Sequence, residues 1–398
     1  MGCCLWLNRL FSRDMSFVML NLSSSFQEES RGKQKKKGWR LLHAKDFQSL
    51  MYPCLAFCRI LGVFPCKINA STFETSRPHY ILSIIIICVS NIYALITLYD
   101  CTIFGKFNVV ELPAVLVDKC YLVLSGFIMI VTFILTGPRI RLLKTIMKIS
   151  SRLPTESYEK LSKLIHTKDI IFFLCLAGTT LLCTFTMQIH FFFRVYINLV
   201  VLQMDMLYMN SVCILKACFK SINDDLAHMR EVITNNEPRA PRLICHEQRY
   251  PFLIMELKAL KKQHLTISDT VQMLNMIFSL QLLATVVLVS SQITLNLYFY
   301  TWIWINWSSM GIPMSIIIHI IFLIYIAYFF IKIALIVWAC ETSKNQALQI
   351  GTSIHDVFNC TTDEQIKDEV SHWNINLLYV FFNCTNMSHV LTIFDASN

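Results

Sequence analysis

Three ionisable residues interrupt the long apolar stretches of this sequence, and they are its best candidates for chemistry. Asp205 lies in one stretch with Gln203 and Tyr208 close by, and His319 and Lys332 lie in a later one. An ionisable group inside a membrane-length apolar segment is costly, so it faces either a polar cavity or a polar partner. A carboxylate, a phenol and an imidazole that face one cavity could bind a small polar ligand. The sequence therefore predicts Asp205, Tyr208 and His319 as ligand-pocket residues.

The alternative for these residues is structural. Asp205 would then pair with a group on another helix, and Lys332 would extend its side chain to the membrane interface. No CxxC pair, phosphate-binding glycine loop, HExxH helix or nucleophile elbow occurs in the sequence. We therefore expect a protein that is not an enzyme and that holds no metal and no cofactor.

The composition predicts that the elements around these residues are membrane helices. The chain has 398 residues, of which 55% are hydrophobic and 15% charged, and its mean hydropathy is +0.52. Soluble globular proteins carry about 25% charged residues, so an ordinary soluble fold is excluded. Apolar stretches of about 20 residues recur, and each can cross roughly 30 Å of hydrocarbon as a helix. We expect an all-α, polytopic membrane protein with six spans, at residues 80–99, 120–136, 170–189, 196–215, 278–299 and 312–338.

Lysine and arginine residues alternate between the segments that join these spans. From the N-terminal segment to the tail, the segments outside the spans hold 12, 2, 8, 1, 9, 0 and 2 of them. Because cytoplasmic loops retain Lys and Arg, the N-terminus is predicted to lie in the cytoplasm. This orientation argues against a G-protein-coupled receptor, whose N-terminus lies outside the cell.

Hydropathy and charge divide the chain into three regions. We expect residues 1–45 to be a disordered cytoplasmic extension, residues 46–338 to be the transmembrane domain, and residues 339–398 to be a cytoplasmic tail with an incomplete final span. Within residues 250–275, apolar side chains recur at helical spacing and lysines occupy the other faces. This pattern predicts an amphipathic helix that extends the fifth span into the cytoplasm.

Three segments resemble the insect gustatory receptors, a family of the insect chemoreceptor superfamily. The first is FQSLMYPCLAFCRILGVFPCKI at residues 47–68, in which a Leu-Gly-x-x-Pro turn follows an apolar helix. The second is LKALKKQHLTISDTVQMLNMIFSLQLL, which is similar to the family's cytoplasmic extension of the fifth span. The third is TTDEQIKDEVSHWNINLLY at residues 361–379, which is similar to the acidic helix before the last span. The family positions carried over are His264, Leu265, Asn275, Phe278, Gln281 and Leu283 in the second segment, and Trp373, Asn376, Leu377, Leu378 and Tyr379 in the third.

The resemblance implies a taste receptor subunit, which is a ligand-gated, non-selective cation channel in the plasma membrane of a sensory neuron. It also implies the partners: a small-molecule tastant, membrane lipid, and other gustatory receptors in a homo- or hetero-tetramer. No nucleic acid and no G protein is required. The family's pore motif, a Thr-Tyr pair, five apolar residues and Gln-Phe in a seventh span, is missing from the sequence. We therefore expect a chain that is truncated before that span.

Several other functions stay open at this stage. An odorant receptor subunit would require a matching co-receptor, and a non-conducting subunit would modulate the current of full-length partners. A transporter would show substrate-dependent uptake, but the sequence lacks the glycine- and proline-broken helices that are typical of transporters. The charge alternation disfavours a G-protein-coupled receptor.

Overall fold

The computed structural model describes residues 43–64, 66–69, 72–75, 77–103, 112–183, 189–235, 249–310, 316–361 and 363–373. Within these ranges the chain is helical except for connecting turns and one short hairpin. The elements are α1 Phe47–Ile60, β1 Cys66–Asn69, β2 Thr72–Thr75, α2 Arg77–Ile103, α3 Leu112–Ile134, α4 Thr136–Ser150, α5 Thr155–Cys183, α6 Ile189–Asn235, α7 Arg249–Met310 and α8 Ile316–Cys360. Residues 364–373 form a further helical segment. The expectations for residues 1–42 and 374–398, including the final span, lie outside the described residues.

The helical membrane fold predicted from composition is confirmed, and the hairpin is its one departure among the described residues. β1 and β2 pair antiparallel, with Cys66 opposite Thr75 and Asn69 opposite Thr72. The loop between them lacks the Asn-Gly or Asp-Gly pair that marks a hairpin in sequence, so the pattern alone did not predict it.

Both ends of α1 are fixed by local hydrogen bonds. At its start, the Ser49 amide donates to the Asp46 carboxylate (2.8 Å), and the Asp46 amide donates to the Ser49 hydroxyl (3.2 Å). This reciprocal pair is a capping box. At its end, the Val63 amide donates to the Cys58 carbonyl (3.0 Å), and Gly62 takes a positive φ of 69°. Glycine adopts this conformation without the steric penalty of a Cβ, and it ends the helix at the turn that the family resemblance implied.

Side chains from α5 and α6 hold α1 against the bundle. The Gln203 amide donates to the Cys54 carbonyl (2.8 Å), and the Tyr196 hydroxyl donates to the Leu61 carbonyl (2.8 Å). A ring nitrogen of His166 lies 3.0 Å from the Leu50 carbonyl. The buried face of α1 consists of Phe47, Leu50, Met51, Cys54, Leu55 and Cys58. The segment before the first span is therefore part of the core.

Most of the predicted spans lie in helices with the length and hydropathy of a membrane span. Four helical stretches meet both criteria among the described residues: Tyr80–Tyr99, Val195–Asn235, Pro251–Tyr298 and Phe322–Cys360. A fifth span results if Lys119–Ile134 and Thr136–Ser150, which are bent by 61°, are counted together. The predicted span at 170–189 begins in α5 and runs into residues that the structure does not describe.

Helix α7 is much longer than a membrane is thick. It runs unbroken for 62 residues, from Arg249 to Met310. At 1.5 Å per residue this is about 93 Å, roughly three times the hydrocarbon thickness. The amphipathic stretch at 250–275 is therefore continuous with the predicted fifth span. α6 passes through the middle of the bundle and is the most deeply buried of the long helices, whereas α2 exposes most of its apolar side chains.

Candidate functional site

A buried ion pair joins α6 to α8 in the middle of the bundle. The Lys332 ammonium nitrogen lies 2.7 Å from Oδ2 of Asp205, and both side chains are almost completely excluded from solvent. The hydroxyl of Thr285, on α7, donates to the other carboxylate oxygen of Asp205 (3.4 Å). Three long helices therefore meet at one carboxylate.

Arg139, on α4, is also buried and contacts the same part of α7. Its guanidinium donates to Oε1 of Gln281 (2.5 Å) and to the backbone carbonyl of Thr132 (3.1 Å). Gln281 lies one helical turn before Thr285 on α7, so the two polar groups are adjacent. Asp205, Lys332, Thr285, Arg139 and Gln281 are called the core cluster below.

Aromatic rings extend the core cluster to further contacts. The guanidinium carbon of Arg139 lies 4.8 Å from the centroid of the Phe278 ring, within the range of a cation–π interaction. The Phe278 ring contacts the Tyr208 ring at a centroid distance of 5.5 Å. The Tyr208 hydroxyl in turn lies 3.1 Å from the Cys340 sulfur on α8. A continuous set of contacts therefore links α4, α7, α6 and α8.

The structure brings together only part of the predicted ligand pocket. Asp205 and Tyr208 are both buried and lie on one face of α6, three residues apart. His319 lies in α8, 13 residues before Lys332, which is about 20 Å along the helix from the contact with Asp205. The expectation that Lys332 reaches the membrane interface is wrong, because its ammonium group is paired and buried. Ligand contact by Asp205, Tyr208 or His319 stays a prediction.

Arg139 was missed because it was counted with the cytoplasmic loop after the second span. A signal for its position is nevertheless present in the sequence. Leu142, Leu143, Ile146 and Ile149 are the buried apolar residues of α4. Arg139 precedes them at the same helical spacing, so a helix over residues 136–150 places it on the buried face. An arginine on that face needs acceptors, and Gln281 and Thr132 provide them.

A second cluster lies in the N-terminal third of α7, the part that is predicted to be cytoplasmic. The ring of His264 lies between those of Phe219 on α6 (6.0 Å between centroids) and Trp373 (5.9 Å), and all three are buried. His264 and Trp373 are family positions from two separate segments, and the fold brings them into contact. These three residues are called the inner cluster. It lies about 30 Å along α7 from Thr285.

The remaining family positions are distributed as follows. Phe278 and Gln281 are buried, Leu265 and Asn275 are half-buried, and Leu283 is exposed. The positions that lie outside the described residues are Asn376, Leu377, Leu378 and Tyr379.

Next to the inner cluster, partly exposed ion pairs connect α7 to residues 364–373. Glu369 lies 3.3 Å from the Lys258 ammonium and 3.4 Å from the Lys261 ammonium. Slight burial raises the pKa of Glu369, but the hydrogen bond from Lys258 and the positive charge of Lys261 outweigh that effect. The pKa of the Glu369 carboxyl therefore lies below its ordinary value. The apolar face of the amphipathic stretch thus packs within this chain, and two of its lysines pair with the acidic segment.

The core cluster can hold three helices in one relative position. A buried charge without its partner is strongly unfavourable, so a shift of α8 along α6 that separates Asp205 from Lys332 is opposed. The arrangement therefore favours one helix register over others.

Of the residues that the structure describes, no three His, Cys, Asp or Glu side chains are grouped to hold a metal ion.

Comparisons with known proteins agree with this architecture. The chain matches the family described as "7tm Chemosensory receptor" over residues 51–387. It also matches the structure of the insect olfactory receptor OR5 from Machilis hrabei, with a TM-score of 0.61 and 10% sequence identity, over 87% of this chain and 96% of that one. No curated protein sequence matches the chain. The family match covers most of the chain, and the chain therefore belongs to the 7tm chemosensory receptor family of insect chemoreceptors.

Proposed function

We propose that this chain is a taste receptor subunit of a ligand-gated, non-selective cation channel in the plasma membrane. Membership of the chemosensory receptor family carries the proposal. The gustatory subtype is supported by the segments at 47–68 and 361–379, which resemble that branch of the superfamily. The packing of His264 against Trp373 also supports it, because the resemblance singled out both positions independently.

The proposed ligand binds between the outer parts of the helices. Tyr300 of α7 stacks on Phe322 of α8 with 4.6 Å between ring centroids, and the Trp304 ring one turn away is largely exposed. These rings lie near the predicted outer end of the fifth span. Their faces are suited to an apolar or aromatic small molecule, because aromatic rings favour stacked and edge-to-face contacts.

Ligand binding would open the channel by favouring one arrangement of the helices over another. A ligand shifts such an equilibrium only by its differential affinity for the two arrangements. In this proposal a change in the packing of Tyr300 on Phe322 alters the position of α7 relative to α8. The core cluster lies on both helices, and the unbroken α7 transmits the change to the inner cluster.

Tastant-evoked current in oocytes that express the full-length chain tests this proposal. We expect an inward cation current that persists when a non-hydrolysable GDP analogue blocks G-protein signalling. The Tyr300→Ala variant should raise the half-maximal tastant concentration by about 2- to 10-fold, as expected for the loss of one aromatic contact. Tyr298→Ala is the matched control, because Tyr298 is exposed and lies on the same helix.

The other outcomes of this experiment identify the alternatives. Current that appears only with a co-receptor would indicate an odorant receptor subunit. A silent chain that changes the current of a co-expressed receptor would indicate a modulatory subunit. Substrate uptake without current would indicate a transporter, and current abolished by the GDP analogue would contradict gating without a G protein.

A further inference from the structure

One face of α3 changes from apolar to basic where α3 bends into α4. Along α3, the side chains that point out of the bundle are Val123, Phe127, Ile130 and Ile134, and all four are more than 40% exposed. They recur every three to four residues, so they form a single stripe along the helix. Exposed apolar side chains on a membrane span contact the hydrocarbon of the bilayer.

The same stripe continues through the bend with basic residues. α4 begins two residues after the last of these apolar residues and turns by 61°. Arg141, Lys144 and Lys148 are exposed at the same three-to-four-residue spacing, while the opposite face of α4 is buried. We call these three residues the basic rim. Because the stripe loses its apolar character at the bend, we infer that the hydrocarbon ends there. α3, with 23 residues, is then long enough to be the spanning part of the bent pair by itself.

The direction of α4 is that of a helix lying near the membrane surface. If α3 crosses the bilayer close to the normal, a bend of 61° leaves α4 roughly 30° from the membrane plane. The next helix shows the same change in the reverse order. On α5, Lys160 and Lys163 are exposed, and the exposed apolar side chains of Ile170 and Leu174 follow. Two consecutive helices therefore place lysines where their lipid-facing stripes end.

We propose that the basic rim of Arg141, Lys144 and Lys148 binds the headgroups of anionic phospholipids in the cytoplasmic leaflet. None of the three forms an ion pair with a carboxylate of the described residues, so their charges are available to a ligand. The positive charge of the rim is complementary to the negative surface of that leaflet. An acidic protein is a less suitable partner, because the rim follows directly from a lipid-facing stripe.

Native mass spectrometry of the purified full-length receptor tests this inference. The protein is released from micelles that contain equal amounts of phosphatidylserine and phosphatidylcholine, and the ratio of the two lipids retained is measured. We expect the wild type to retain phosphatidylserine preferentially. The Lys144→Gln/Lys148→Gln variant should lose part of this preference, by at most about 5-fold per lysine.

The matched control is Lys220→Gln/Lys262→Gln, which removes two exposed lysines from α6 and α7. All four substitutions are on exposed side chains, so both variants should melt within a degree or two of the wild type. The preference of the control for phosphatidylserine should equal that of the wild type. Three results would overturn the proposal: no preference in the wild type, an equal loss in the control, or an unchanged preference in Lys144→Gln/Lys148→Gln.

Discussion

Replacing Asp205 with asparagine would leave the ammonium group of Lys332 buried without its counter-charge. The two groups are 2.7 Å apart, and neither has appreciable access to solvent. At an effective dielectric constant of about 20, two unit charges at this distance attract each other by about 6 kcal/mol. Desolvation of the two ions offsets most of that attraction, so the intact pair contributes little net stability.

Removal of one charge has a larger effect than removal of both. A buried charge without a partner typically costs about 3–5 kcal/mol of stability. Asparagine keeps an oxygen that can accept the hydrogen bond from Thr285. We therefore expect Asp205→Asn to lower the free energy of unfolding by about 3 kcal/mol, the lower end of this range. The double variant Asp205→Asn/Lys332→Met removes both charges at similar volume. It should recover most of the stability lost in either single variant.

A thermal unfolding assay on the detergent-solubilised receptor measures this effect. Size-exclusion chromatography after heating gives the fraction of protein that remains folded at each temperature. We expect each single variant to lower the apparent Tm by on the order of 5 °C or more. The matched control is Arg230→Gln, which breaks a 2.9 Å ion pair with Asp356 between the same two helices. Both side chains of that pair are about half exposed, so its loss should change stability by less than about 1 kcal/mol. The reasoning is refuted if Asp205→Asn melts like the wild type, or if the double variant is no more stable than the single ones.

Three further predictions concern the two ends of the bundle. Gly62→Ala should lower the apparent Tm, because an L-residue at φ 69° costs roughly 1–2 kcal/mol and the added Cβ would lie 2.7 Å from Cδ1 of Ile86. Gly178→Ala, where a Cβ meets nothing within 4 Å, is its control and should cause no loss. Trp373→Ala should cost about 3–5 kcal/mol in the same assay, since the ring is fully buried against His264. The pKa of the Glu369 carboxyl is lower in the folded protein than its ordinary value. The ionised carboxylate therefore stabilises the fold at a pH above its ordinary pKa, and this stabilisation is lost as the pH falls through the folded pKa. Glu369→Gln should therefore weaken the fall in apparent Tm below about pH 4.5; a fall as steep as that of the wild type would contradict the assignment.

Hydropathy predicted most of the membrane helices, because it follows directly from the bilayer. A segment that crosses hydrocarbon must be apolar along its length, and this requirement is visible without knowledge of any partner. The amphipathic stretch at 250–275 was predictable for a similar reason, since helical spacing alone shows which side is buried. The structure adds its partner, the helical segment at 364–373, which packs against it through the inner cluster.

The pairing of charges could not be predicted from the sequence. Asp205 and Lys332 were both recognisable as costly groups inside spans, but the sequence does not reveal which helices are adjacent. The charge count predicts a loop position for Arg139, because it treats every residue between spans alike. Its burial depends on a helix over residues 136–150, whose buried face carries Arg139. To predict which side chains pair, one therefore needs to know how the helices pack as well as which residues they carry.

The central claim is that this chain belongs to a channel that a small molecule opens directly. Single-channel recording tests it on receptor complexes that contain this chain and are purified from cells that give the tastant-evoked current. The complexes are inserted into a planar lipid bilayer, and only salt and that tastant are added. We predict discrete cation-conducting openings whose frequency rises with tastant concentration and falls when the tastant is washed out. A bilayer that stays silent, although the protein is shown to be inserted and correctly folded, would contradict the claim.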